Sequence, residues 1–200
     1  MESKKLLFYG GSFDPPHLGH KRLLEAAVGE LHPDIVYVIP SGISPHKKRS
    51  VTPFWDRVNM CRISFRGIVN TKVLTVEGRG SKSYTFKTVR YLKKRYPGCE
   101  LYMLIGSDML ESFKKWFLYR RIMASVSIVA GCRDDDDEAD LRTSAEELIK
   151  EGARIVLLSF SPIETSSSEL RISDPVKSAD SGLISNEVAD YIIKRGLYSK

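Results

Sequence analysis

Cysteine is scarce in this chain and poorly placed for cross-linking. Cys61, Cys99 and Cys132 are odd in number and far apart, and no C-x-x-C pair occurs. That pattern gives neither a disulfide framework nor a zinc knuckle, and it fits reduced thiols in a cytosolic protein. Long apolar runs are missing too: none approaches the roughly 18–20 residues that cross a bilayer. After Met1-Glu2-Ser3-Lys4-Lys5 only four apolar residues precede Gly10, too few for a signal-peptide core. A cytoplasmic protein with no membrane partner is expected. Charge of one sign is not concentrated either. The net +6 over 200 residues favours acidic partners. Yet the basic residues are dispersed, apart from Lys47-Lys48-Arg49 and Lys93-Lys94-Arg95. Dispersion argues against nucleic acid and leaves phosphorylated small molecules.

Two familiar phosphate-binding patterns are also absent. No G-x-x-x-x-G-K-[ST] run exists, and neither Gly10-Gly11 nor Gly78-Arg79-Gly80-Ser81-Lys82-Ser83 satisfies G-x-G-x-x-G. A P-loop ATPase and an ordinary dinucleotide oxidoreductase therefore find no support. Histidine is rare, with four in the whole chain. Two of them, His17 and His20, stand three residues apart in Tyr9-Gly10-Gly11-Ser12-Phe13-Asp14-Pro15-Pro16-His17-Leu18-Gly19-His20.

What is present is an alternation of short apolar runs and helical patterns. Strands are expected at Leu6–Tyr9, Ile35–Ile39, Val73–Val76, Leu101–Ile105, Val126–Ala130 and Ile155–Leu158. Between them lie helical stripes: Leu24, Ala27, Val28 and Leu31; Phe54, Val58, Cys61 and Phe65; Thr85, Val89, Leu92 and Tyr96. The first follows i, i+3, i+4, i+7 and the other two i, i+4, i+7, i+11, each one face of a helix. Strands interleaved with helices and lacking hairpin turns predict an α/β fold, a Rossmann-like doubly wound parallel sheet with helices on both faces. One domain over 1–200 is expected. Its core would span 1–160, with a small helical C-terminal part over 161–200. Ligands of such sheets sit beyond the strands' carboxyl ends at the switch point, here the loops after Tyr9, Ile39, Ile105 and Leu158. The acidic run Asp134-Asp135-Asp136-Asp137-Glu138 reads as a solvated loop entering a helix.

The stretch from Gly10 to His20 is laid out as strand, glycine turn and helix start, where backbone N–H groups can approach a phosphate. Glycine permits that approach because it has no Cβ. His17 and His20 fall on one face of the first helical turn. From spacing alone they are anion ligands, surface or structural histidines, or a zinc pair that lacks an obvious further ligand. A second candidate is Thr165-Ser166-Ser167-Ser168-Glu169-Leu170-Arg171. Ser166-x-x-Glu169 is a capping box, and Arg171 one turn in carries planar donors suited to phosphate. The basic loop Pro45-His46-Lys47-Lys48-Arg49 is a weaker third.

Taken in order, these pieces resemble one family. H-x-G-H after a glycine turn, with a late S-S-x-x-[IL]-R, is similar to the nucleotidyltransferase α/β-phosphodiesterase superfamily. The closer resemblance is to its bacterial nicotinate-nucleotide adenylyltransferases. It runs through Gly10–His20, Pro45-His46-Lys47, Ser83-Tyr84-Thr85-Phe86, Ile105-Gly106-Ser107-Asp108 with Trp116, Ser166–Arg171 and Gly196-Leu197-Tyr198. The resemblance implies transfer of adenylate from ATP to nicotinate mononucleotide, giving nicotinate adenine dinucleotide and pyrophosphate in NAD biosynthesis. It implies that His17, His20 and Arg171 grip the ATP phosphates, with Lys47 nearby and Ser166, Ser167 and Ser168 assisting. Gly10, Gly11, Ser12 and Phe13 would contact the nucleotide through backbone, and Gly106 and Asp108 would hold adenosine. Thr85 and Trp116 would meet the pyridine ring, Trp116 by stacking. Mg²⁺ would arrive on the phosphates, with no protein residues assigned as metal ligands. The chain departs from the family in three places: Ser12 replaces a threonine, Asp134-Asp135 replaces an arginine and Pro-Gly, and Thr165 replaces an apolar residue. Three readings stand beside this one: a phosphopantetheine adenylyltransferase, a catalytically idle nucleotide sensor and a nucleic-acid-binding module. Acid-versus-amide preference and homo-oligomerisation stay open.

Overall fold

The computed structural model describes residues 3–43, 52–78, 83–131, 138–159 and 165–199. Six strands form one sheet: β1 (Lys5–Gly11), β2 (Ile35–Pro40), β3 (Thr71–Val73), β4 (Glu100–Gly106), β5 (Ser127–Gly131) and β6 (Arg154–Leu158). Their order is β3-β2-β1-β4-β5-β6, and every neighbouring pair is parallel. Chain order reverses between β1 and β4, which makes that gap the switch point. The helices are α1 (Leu18–Leu31), α2 (Phe54–Ser64), α3 (Thr85–Arg95), α4 (Ser107–Glu111), α5 (Tyr119–Met123), α6 (Glu138–Lys150), α7 (Ser167–Leu170), α8 (Pro175–Asp180) and α9 (Asn186–Lys194).

Helices cover both faces because successive strand side chains point to opposite sides. On β1, Leu6 and Phe8 enter one core with Val89 and Leu92 of α3, Ile122 of α5 and Leu141 and Leu148 of α6. Leu7 and Tyr9 enter the other with Leu23, Leu24 and Ala27 of α1 and Cys61 of α2. The α/β doubly wound expectation holds. A third cluster joins Met60 of α2 to Leu170, Ile184, Val188, Ala189 and Ile192. The C-terminal helices thus pack on the outer side of α2.

Two local expectations need correction. The third strand runs Thr71–Val73 rather than Val73–Val76. Val36 N–H donates to the Asn70 carbonyl, and Leu74 N–H donates to the Val38 carbonyl. The next rung would need an N–H from Pro40, which has none. The ladder stops there, and Leu74 and Val76 pack on the core as irregular chain. On α2 the expected stripe is buried at Val58, Cys61 and Phe65, but Asp56, Arg57 and Met60 are buried as well. That helix lies between the sheet and the C-terminal helices, so two of its faces are enclosed.

Candidate functional site

The end of β1 turns over a packed ring. Phe13 takes a left-handed φ of 48°, an unusual conformation for a residue with a Cβ, and its ring is fully buried. It meets Tyr9, His20 and Phe65 edge-on, with centroids at 5.2, 5.1 and 5.6 Å. A Cβ on Gly11 would fall 2.8 Å from the Phe13 ring. Gly11 therefore serves close packing as well as backbone approach.

His17 caps α1, and the two histidines are joined by structure as well as spacing. The His17 N–H donates to Nδ1 of His20 at 3.3 Å, and the ring centroids are 3.7 Å apart. An Nδ1 that accepts leaves the proton of a neutral imidazole on Nε2. With Nδ1 turned to the His17 N–H, Nε2 is the His20 atom left to donate outward.

The late serine-arginine segment docks on this turn from more than 150 residues away. Ser166 and Glu169 form the expected reciprocal capping box, at 3.2 and 3.1 Å, worth about 1 kcal/mol in typical cases. The Ser167 hydroxyl donates to the Pro15 carbonyl at 2.9 Å. Arg171 donates from Nη1 to the Asp14 carbonyl at 2.7 Å and from Nη2 to Ser168 Oγ at 2.9 Å. The helix α7 has one turn only, so its dipole adds little. What the segment brings is a guanidinium held next to the His17–His20 turn. The Ser166 and Ser167 hydroxyls are bonded within the protein.

Beyond the Tyr9–Leu104 pair of β1 and β4, Gly106 ends its strand and Asp108 lies in the first turn of α4. A Cβ on Gly106 would stand 3.1 Å from Asp108 Oδ1, so glycine gives that carboxylate room. Thr85 opens α3. Its approach is fixed by Ser83, whose N–H donates to the Ile43 carbonyl at 2.9 Å and whose Oγ accepts from Gly42 N–H at 2.8 Å. Tyr84 meets Phe117 at 5.2 Å, and Trp116 packs half-buried on Phe113 at 5.3 Å. Thr85 and Trp116 therefore belong to one neighbourhood. Lys47 and the basic loop around it lie outside the described residues, as do Cys132 and the Asp134–Asp137 run.

Two contributors, Arg57 and Asp56, escape sequence reasoning, and a third, Tyr198, enters it only within the terminal Gly196-Leu197-Tyr198 motif, with no role. Arg57, only 2% exposed, donates to the carbonyls of Ser12 and Ser41, each at 2.7 Å. Burial lowers its pKa, and the charge of Asp14 opposes that shift. The Tyr198 hydroxyl donates to Asp14 Oδ1 at 2.7 Å. Burial raises the Tyr198 pKa, and the Asp14 carboxylate raises it further. Asp56 accepts from Tyr191 at 2.8 Å and pairs with Arg195 at 3.0 Å. A signal for Arg57 existed: it stands three after Phe54 and four before Cys61, inside the apolar stripe.

The sequence model of the family described as cytidylyltransferase-like matches residues 8–172, a span that takes in both docked segments. The chain belongs to the cytidylyltransferase-like family. Within it, a protein of Exiguobacterium sibiricum named "Probable nicotinate-nucleotide adenylyltransferase" is 34% identical over 168 residues, 84% of each chain. One of Carboxydothermus hydrogenoformans with the same name is 34% identical over 200 residues, 99% of this chain and all of its own. Among solved structures, the Plasmodium falciparum nicotinic acid mononucleotide adenylyltransferase complexed with NaAD superposes with a TM-score of 0.82. At 22% identity over 98% of this chain and 97% of that one, it establishes the fold. The cytidylyltransferase-like match spans the Gly10–His20 turn, the Gly106–Asp108 strand end and the Ser166–Arg171 segment together. Among the described residues, no three histidine, cysteine or acidic side chains converge to hold a metal ion, and no helix is long and apolar enough to cross a membrane.

Proposed function

We propose that the chain transfers adenylate from ATP to nicotinate mononucleotide, giving nicotinate adenine dinucleotide and pyrophosphate in NAD biosynthesis. The observation that carries this reading is the docking of Arg171 and Ser167 on the Asp14-Pro15 backbone. It fixes a guanidinium on the turn that leads into the His17–His20 pair, in a cytidylyltransferase-like chain. Residues 1–200 act as one nucleotidyltransferase domain, with core 1–160 and a C-terminal part 161–200. The C-terminal part contributes Arg171.

A mononucleotide phosphate has its second pKa at about 6, so at neutral pH it is an anionic nucleophile and needs no general base. The difficulty is bringing it to the α-phosphorus of another polyanion. Fixed donors and in-line positioning lower that barrier. In this reading His17, His20 through Nε2–H, and Arg171 bind the phosphates. Gly10, Gly11, Ser12 and Phe13 contact ATP through backbone, and Gly106 and Asp108 hold adenosine. Thr85 and Trp116 hold the pyridine ring. Ser167 and Ser168 act by fixing the loop and Arg171 rather than by gripping phosphate. Lys47 is retained as a contributor on the family resemblance. The Asp14 carboxylate of the turn accepts from Tyr198, and the imidazole and guanidinium donors beside it suit phosphate oxygens rather than a cation. Mg²⁺ is accordingly read as a companion of ATP, ligated by phosphate and water. The enzyme is placed in the cytoplasm.

The test is a pyrophosphate-release assay with ATP and, in turn, nicotinate mononucleotide, nicotinamide mononucleotide and phosphopantetheine. Turnover with nicotinate mononucleotide is expected. Turnover with phosphopantetheine alone would replace this reading, and failure of all three would favour a nucleotide sensor.

A further inference from the structure

Arg57 is a buried cation that touches neither proposed substrate position, yet it binds the loops of both. Its Nη1 donates to the carbonyl of Ser12, in the turn assigned to ATP. Its Nη2 donates to the carbonyl of Ser41 at 2.7 Å and reaches that of Gly42 at 3.4 Å, in the chain leaving β2. Its Nε points to Thr52 O at 3.4 Å, and the Phe54 ring lies against the guanidinium, 5.6 Å from its centroid. The second loop continues the connection. Gly42 N–H donates to Ser83 Oγ, and Ser83 N–H donates to Ile43 O. Ser83 stands two residues before Thr85, on the side assigned to the mononucleotide.

Resting on the proposed function, we infer that Arg57 is a positioning residue that fixes the spacing between the ATP turn and the mononucleotide loop through Ser12, Ser41–Gly42 and Ser83. Only a planar fork serves this purpose. A lysine ammonium brings its donors from a single nitrogen, whereas the Ser12 and Ser41 carbonyls are met by different nitrogens of the guanidinium. In-line attack depends on that spacing, since displacements of about 1 Å can cost up to a hundredfold in rate. Arg57 then acts on the chemical step rather than on either affinity.

The test compares wild type with Arg57→Lys. Turnover is normalised to the number of sites that bind a non-hydrolysable ATP analogue by calorimetry. Turnover per binding site is expected to fall about tenfold or more, with both KM values within about threefold of wild type. Wild-type turnover per site, or raised KM values with unchanged turnover, overturns the inference. Amide hydrogen exchange supplies a readout independent of the reaction, so it separates this inference from the proposed function. In Arg57→Lys, amides near Ser12–Phe13 and Gly42–Ile43 are expected to exchange faster together; loosening of one loop alone contradicts the coupling. Should that variant fail to fold, Ser83→Ala serves in its place. Faster exchange spreading from Gly42 to Ser12–Phe13 supports the link, and faster exchange confined to Gly42–Ile43 overturns it.

Discussion

The two halves of the site are built differently. The corner around Gly10–His20 is tied by hydrogen bonds between segments far apart in sequence: Ser167 to Pro15, Arg171 to Asp14, Tyr198 to Asp14 and Arg57 to Ser12. On the wall, Ser83 fixes the approach to Thr85 by hydrogen bonds, whereas the side chains around Trp116 meet through ring contacts, Tyr84 with Phe117 and Phe113 with Trp116, and Phe117 is 55% exposed. Directional bonds fix backbone to within tenths of an ångström, whereas aromatic contacts tolerate sliding. Developing charge on a triphosphate requires the first kind of support. A flat pyridine ring needs only the second. Under the proposed function, the corner carries the chemistry and the wall the choice of substrate.

Mutations ordered by size probe that division. His20→Ala removes one donor from the corner, and turnover should fall by about a hundredfold or more. Near-normal turnover in the pyrophosphate assay would dissolve the distinction. Arg171→Lys keeps the charge but loses the fork that holds the Asp14 carbonyl and Ser168. A loss of roughly tenfold or more in turnover is expected, of the size of a mispositioned donor. Trp116→Ala should raise the KM for nicotinate mononucleotide by about tenfold, on the scale of a lost stacking contact. The KM for ATP should stay close to wild type, and a matching loss for both substrates would move Trp116 out of the wall. The smallest effect concerns Tyr198. Its folded pKa lies above the unfolded value of about 10, raised by burial and Asp14. The stability tied to its proton is therefore complete below about pH 10 and is lost at higher pH. Denaturant titrations should show wild type losing more stability than Tyr198→Phe between neutral and strongly alkaline pH. Parallel curves would mean that the Asp14 bond contributes nothing.

Much of this architecture is legible in the sequence because burial imposes periods. Strand alternation and helical stripes locate the sheet and its two covered faces, but not the strand order, since more than one order covers both faces. The third strand was misplaced by proline chemistry on its neighbour, since Pro40 ends the ladder from across the sheet. The pairing of His17 with His20 is legible because its spacing is local, and the Ser166–Glu169 capping box because it marks a helix start. Arg57 and Asp56 were missed for a different reason. Their partners come from other segments, the loops after β1 and β2 for Arg57 and the C-terminal Tyr191 and Arg195 for Asp56, and a charged residue on α2 reads as solvent-facing until those segments enclose it. Tyr198 is quoted in the terminal motif, but its role is not legible there, since its partner Asp14 lies 184 residues earlier.

The division between corner and wall is tested most directly by a crystal structure with a non-hydrolysable ATP analogue and nicotinate mononucleotide bound together. The account predicts the triphosphate against His17, His20 Nε2 and Arg171, with the pyridine ring on Trp116 beside Thr85. A pyridine ring seated at the His17–His20 turn, or a triphosphate lying along Trp116, would contradict it.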